Sequence, residues 1–121
     1  MQWTTVVIFA AVVILYLFVR RSDQVAANDA QALLAGGALV VDVRTHAEFN
    51  AGHLPGAINL PVDHIGSTLP PQVPDKSQTI LVYCQSGFRS RVAKRTLMAL
   101  GYTQVFNLGS HQRAVRIMKS G

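Results

Sequence analysis

The chain has 121 residues, enough for one domain of ordinary size, and carries a formal net charge of +5. Its single cysteine, Cys84, excludes an internal disulfide, a CxxC redox pair and a structural zinc site built from several thiolates. No nucleic-acid motif accompanies the positive charge, and aromatic residues do not alternate with it. The basic residues Arg89, Arg91, Lys94, Arg95 and Arg113 therefore fit a small anionic substrate, or an anionic membrane surface, better than a nucleic acid, and no nucleic acid is expected as a partner.

Residues 1–19 carry no charged side chain, and Arg20 and Arg21 follow at once. As a helix, residues 3–19 would measure about 26 Å, within the range that spans a bilayer. Trp3 and Tyr16 stand where interfacial aromatics belong. A cleavable signal peptide would want positive charge before the apolar run, and there is none. The sequence thus predicts an uncleaved transmembrane anchor with its basic flank over residues 1–21, a short tether over 22–27 and a folded domain over 28–121. The positive-inside rule then makes the protein a single-pass component of the inner (cytoplasmic) membrane, with its C-terminal domain in the cytoplasm and the lipid bilayer as a partner.

Within the domain, Asn28 is a candidate cap for a helix reaching Ala35, which Gly36 and Gly37 end. Residues 39–43, LVVDV, read as a buried strand. Thr45 and Glu48 have capping-box spacing, so a short helix over 45–51 follows. A turn over 52–56 leads to a short strand over 57–60, which Pro61 closes. Residues 62–69 hold one helical turn, and Pro70, Pro71 and Pro74 predict an irregular surface loop. A second buried strand covers 79–83, a basic helix 90–100, a last strand 105–108 and a last helix 111–119, packing through Val115 and Met118. Strands alternating with helices at this spacing imply an α/β fold, a parallel sheet with helices on both faces. Ligands in such folds bind beyond the C-terminal strand ends, where Cys84 stands.

A thiol between strand and helix faces backbone N–H groups and the positive end of the helix, a setting that makes it nucleophilic. Gln85, Ser86, Gly87, Phe88, Arg89 and Ser90 form the surrounding candidate binding loop. Successive N–H groups from Gln85 to Arg89 can point inward as an anion-holding nest. Gly87 supplies a backbone angle or a close approach that a side chain would block. Phe88 lines the entrance, meets a partner or packs the loop. Ser90 caps the helix or donates a hydrogen bond toward sulfur.

These pieces resemble the single-domain rhodaneses. The resemblance rests on VVDVRTHAEFNAGHLPGAINLP (40–61), ILVYCQSGFRS (80–90) and GYTQVFNLG (101–109), and it spans residues 25–119. It implies a rhodanese-like sheet and sulfurtransferase chemistry: Cys84 matches the nucleophile that takes sulfane sulfur from thiosulfate, a polysulfide or a protein persulfide. The persulfide then passes its sulfur to a thiol, a protein acceptor or cyanide. The implied partners are a small anionic sulfur donor and a thiol or protein acceptor; no cofactor is implied.

Arg89 matches the family's loop arginine, placed to pair with a donor oxyanion or to brace the loop. Asp42, Arg44, Glu48 and His53 match supporting positions: Arg44 and Glu48 can form a charge-assisted pair, and His53 can bond to the loop backbone. A general-base role for His53 is the lesser reading. No metal is expected, because His46, His53, His64 and His111 lack HxxxH or HxH spacing. Four residues separate Cys84 from Arg89, one fewer than cysteine-dependent phosphatases use, which favours sulfur over phosphate or arsenate. The chain departs from the pattern after Gly109, where Ser110 replaces a second glycine and the last helix lacks a tryptophan. The competing reading is a non-enzymatic rhodanese-like module that recruits a membrane partner.

Overall fold

The computed structural model describes residues 2–120, with the side chains of residues 19–22 outside the described set. Six helices and four strands alternate along these residues: α1 (Gln2–Ser22), α2 (Ala27–Ala35), β1 (Leu39–Asp42), α3 (His46–Ala51), β2 (Ile58–Asn59), α4 (Ile65–Gln72), β3 (Ile80–Cys84), α5 (Phe88–Ala99), β4 (Val105–Ser110) and α6 (His111–Ser120). A 3-10 turn, Val62–His64, leads into α4.

The four strands form one parallel sheet in the order β2-β1-β3-β4. Alternation along β3 divides the core between its two faces. Ile80, Val82 and Cys84 pack with Ile65 and Leu69 of α4 and Ala93 and Leu97 of α5. Leu81 and Tyr83 face the opposite way, toward Ala30 of α2 and Ala114 and Ile117 of α6. All five β3 residues are buried. The central strand therefore reads as a continuous apolar run that ends in the thiol.

Local signals set some boundaries and packing moved others. Thr45 Oγ1 accepts from the Glu48 N–H at 3.2 Å, and the Glu48 carboxylate accepts from the Thr45 N–H at 3.1 Å, which closes the expected capping box. Helix α2 instead begins at Ala27 after an Ala26 cap without a side-chain bond, so Asn28 lies inside it. Pro70 and Pro71 lie in the last turns of α4, not in a loop. Buried Ile65 and Leu69, one helical turn apart, hold that helix to the sheet and override the local preference. In α6 the buried residues are Ala114 and Ile117, while Val115 and Met118 are half-buried. Helix α5 begins two residues earlier than expected, because Gly87 turns the chain in the left-handed region at φ 95°.

The expected transmembrane anchor requires correction. Among the described residues, no helix is long and apolar enough to cross a membrane. The side chains of Arg20 and Arg21, on which the topology rested, lie outside the described residues. The lipid-bilayer partner, the single-pass inner-membrane placement and the cytoplasmic orientation of the C-terminal domain lose their support with the anchor. Helix α1 carries its apolar side chains exposed, including Trp3, Phe9 and Phe18.

Candidate active site

The parallel sheet delivers Cys84 to the C-terminal end of β3, and the chain then turns into α5 within three residues. Gly87 makes the turn. Its N–H donates to Cys84 Sγ at 2.9 Å, and its carbonyl accepts from Ser90 Oγ at 3.0 Å. Sγ lies 3.5 Å from Ser90 Oγ, with the thiol as donor. Ser90 is therefore a buried brace inside the first turn of α5 and not its cap. The amides of Phe88, Arg89 and Ser90 open α5, where helical N–H groups lack intrahelical acceptors. Cys84 itself is fully buried beneath this turn.

A buried ion pair holds the neighbouring strand end. Arg44 Nε lies 3.0 Å from both Asp42 carboxylate oxygens, and Nη2 donates to Oδ2 at 2.7 Å. The fork continues: Nη2 donates to the Gly52 carbonyl at 2.6 Å and Nη1 to Gln85 Oε1 at 3.0 Å. One guanidinium thus joins β1, the turn after α3 and the cysteine loop. The bonded Asp42 carboxylate holds Arg44 further toward its charged form. Tyr83, one residue before the cysteine, sits beneath Arg44 at 5.6 Å from the guanidinium carbon. Its hydroxyl accepts from the Leu54 N–H at 3.1 Å, and burial pushes its pKa up to about 12.

Glu48 reaches the loop from the other side. Its carboxylate takes a bidentate pair from Arg89, with Nη1 to Oε1 at 2.7 Å and Nη2 to Oε2 at 2.9 Å. The hydrogen bond from Arg89 holds the Glu48 carboxyl down to about 2. The pairing expected from the sequence, Arg44 with Glu48, is therefore replaced by two others: Arg44 with Asp42 and Arg89 with Glu48. Arg89 braces the loop against α3. His53 Nδ1 lies 2.9 Å from the Phe49 carbonyl, and its ring stacks on Phe49 at 3.6 Å between centroids. It does not bond to the loop backbone.

Gln85, Ser86 and Phe88 are exposed, while Gly87 is buried. Phe88 lines a cavity of about 310 Å³ beside the loop with Val43, Pro61, Val62, Arg89 and Val92. Ser86 bridges to Ser110 at the end of β4. His111 follows, its ring stacked 5.8 Å from that of Tyr83, and burial lowers its pKa. Tyr83, Asn59 and His111 were missed by the sequence reading. Asn59 Nδ2 donates to the carbonyls of Asp42 at 3.0 Å and Arg44 at 2.9 Å, pinning the strand end that carries the ion pair. The only sequence signal for Tyr83 was its place next to the cysteine; Asn59 and His111 join the site through strand pairing alone.

Comparison with known proteins agrees with this architecture. The family model for the rhodanese-like domain matches residues 26–111. The thiosulfate sulfurtransferase PspE of Escherichia coli is 41% identical over 69 residues, 57% of this chain and 66% of that protein. The chain thus spans about two thirds of that relative's length. The chloroplastic thiosulfate sulfurtransferase 16 of Arabidopsis thaliana is 38% identical over 96 residues, 71% of this chain and 80% of that protein. Among solved structures, the human single-domain sulfurtransferase TSTD1 superposes with a TM-score of 0.68 at 30% identity, covering 78% of this chain and 96% of that one. With the family match over most of the folded part, a parallel sheet of the same form and a lone cysteine at the strand end, the chain belongs to the rhodanese-like domain family.

Proposed function

We propose that the chain is a rhodanese-type sulfurtransferase whose nucleophile is Cys84. The observation that carries the reading is the 2.9 Å hydrogen bond from Gly87 N–H to Cys84 Sγ in a left-handed turn that opens α5. Family membership supports sulfur transfer as the type of chemistry. The two sulfurtransferase relatives named for thiosulfate support an anionic sulfane-sulfur donor.

With thiosulfate, the Cys84 thiolate attacks the outer sulfur. A new S–S bond forms on Sγ, the bond to the sulfonate sulfur breaks, and its electron pair leaves with sulfite. The persulfide anion that remains is stabilised where the loop amides and the N-terminus of α5 concentrate positive potential. An acceptor thiolate or cyanide then attacks the outer sulfur, and the electron pair of the broken S–S bond returns to Sγ. No external oxidant is consumed. Gln85, Ser86, Gly87, Phe88, Arg89 and Ser90 form the binding loop. Asp42, Arg44 and Glu48 act by holding it, and His53 acts by packing on α3. A polysulfide, a protein persulfide or a protein acceptor fits the same exchange.

Mass spectrometry of the protein after thiosulfate treatment tests the reading. A gain of roughly 32 Da at Cys84 is expected of a covalent sulfur carrier, and Cys84→Ser should lose both the adduct and thiocyanate formation. An unmodified cysteine with thiosulfate, polysulfide and a protein persulfide in turn would sink the enzymatic reading and leave a binding module.

A further inference from the structure

The segment between α1 and α2 is fixed to the sheet at three successive residues. Asp23 Oδ2 accepts from Asn107 Nδ2 at 3.0 Å, and Asp23 Oδ1 lies 3.7 Å from Lys94 Nζ on α5. Gln24 forms a parallel bridge with Asn107 on β4. The Val25 N–H donates to the Asn107 carbonyl at 2.9 Å, and the Val25 carbonyl accepts from Arg113 Nη2 on α6. With Asp23 and Val25 both tied, the direction of the Gln24 side chain is set.

That side chain ends where Gly87 of the cysteine loop and Gly109 of β4 carry no Cβ. A Cβ at Gly109 would stand 2.7 Å from Gln24 Nε2 and 2.9 Å from Cδ. A Cβ at Gly87 would stand 3.3 Å from Nε2 and 3.5 Å from Gly109 Cα. Both glycines occupy the left-handed region, at φ 95° for Gly87 and 90° for Gly109. Gly109 follows the irregularity where β4 holds one more residue than β3, and its N–H donates to Asn107 Oδ1 at 2.8 Å. Asn107 therefore anchors both the strap and the glycine that the strap presses on.

We propose that Gln24 is a positioning residue of the sulfur-transfer site: its carboxamide wedges against Gly87 and Gly109 and keeps the Gly87 N–H on Cys84 Sγ. The inference rests on Cys84 being the sulfur-carrying nucleophile for its catalytic consequence, but not for its effect on the loop. Cys84 is fully covered in this conformation, and opening of the loop exposes it further to an alkylating reagent. Loss of the wedge loosens Gly87, so it should expose the thiol and impair transfer at the same time. A general loss of reactivity would move both readouts down together.

The test uses the full chain with Gln24→Ala, Gln24→Asn and Gln24→Met. Two quantities are measured: the rate at which iodoacetamide modifies Cys84, and kcat and KM for thiosulfate with cyanide as acceptor. Gln24→Ala is expected to raise the modification rate by about threefold or more, as local opening becomes easier. Its kcat should fall by about tenfold with KM little changed, as expected when a group acting in the transition state is misplaced. Gln24→Asn, one methylene shorter, should behave like Gln24→Ala, and Gln24→Met, which restores length and bulk, should behave like the parent. Parental behaviour of Gln24→Ala or Gln24→Asn overturns the proposal, as does a Gln24→Met defect equal to that of Gln24→Ala. If the parent itself transfers no sulfur, the functional reading fails, and the modification rates alone still decide the wedge.

Discussion

Charge pairing at the site divides into one buried and one half-exposed pair, with different consequences. Arg44 and Asp42 are almost wholly enclosed, with side-chain exposures of 4% and 0%. Breaking such a pair strands a charge, so its role is to hold geometry and not to supply surplus stability. Arg89 and Glu48 remain 32% and 31% exposed, and solvent screening limits their pair to about 1 kcal/mol. Glu48 titrates at about 2 in the folded chain against an ordinary 4.5. Its folded pKa is depressed, so its contribution is complete above pH 4.5 and is lost as pH falls through about 2. Glu48→Gln should accordingly lower the thermal midpoint by about 4 °C at neutral pH, with the difference shrinking below pH 4.5 and vanishing near 2. Thermal melts of both proteins across that range would check it; a difference independent of pH would contradict the assignment. The residue types of this cluster were legible in the sequence, but their partners were not. Asp42 and Arg44 are two residues apart, yet Arg44 was matched with Glu48, because spacing alone does not say which carboxylate is buried.

The junction of β3 and α5 is the element that creates the site, and its geometry depends on one glycine. Gly87 combines a left-handed φ of 95°, a place where a Cβ would meet Gln24 and Gly109, and the N–H that reaches Sγ. Gly87→Ala would strain the turn and press a methyl group on its neighbours, shifting the N–H that faces sulfur. Loss of one such donor commonly costs about a hundredfold in kcat. Gly87→Ala should show a loss of that order in thiocyanate formation while near-native circular dichroism persists; parental turnover would contradict the role given to this amide. The sequence located this junction because an apolar strand, a cysteine, a glycine and a basic helix follow one another within a short stretch. It misplaced the helix start because the glycine's handedness, and not a side-chain cap, begins α5. Helix α4 shows the converse. Pro70 and Pro71 argued locally for a loop, and the burial of Ile65 and Leu69 outweighed them.

At the scale of the molecule, the chain carries a net charge of +5, and α5, which the loop proposed to take anionic donors opens, carries Arg89, Arg91, Lys94 and Arg95. Attraction of this kind raises encounter rates and is screened by salt. The kcat/KM for thiosulfate should fall by about threefold between low salt and roughly 0.5 M NaCl, measured by steady-state kinetics at constant pH. A flat profile would remove long-range steering from the account.

The order of strands and helices, the parallel sheet and the position of the cysteine were determined by sequence alone. Apolar runs of strand length, capping residues and glycines are local signals, and each acts where it stands in the chain. Tertiary structure alone decided the rest. It chose Asp42 for Arg44 and Glu48 for Arg89, brought Tyr83, Asn59 and His111 to the site, and drew Gln24 across the chain onto Gly87 and Gly109. It also corrected the anchor, since no described helix meets the length and apolarity that crossing a membrane demands. Arg89 with Glu48, Asn59 and His111 at the site and Gln24 on the glycines are relations between residues far apart in sequence, fixed by sheet pairing and burial, and no local pattern encodes them; Asp42 and Arg44 are near neighbours, and burial chose between the carboxylates.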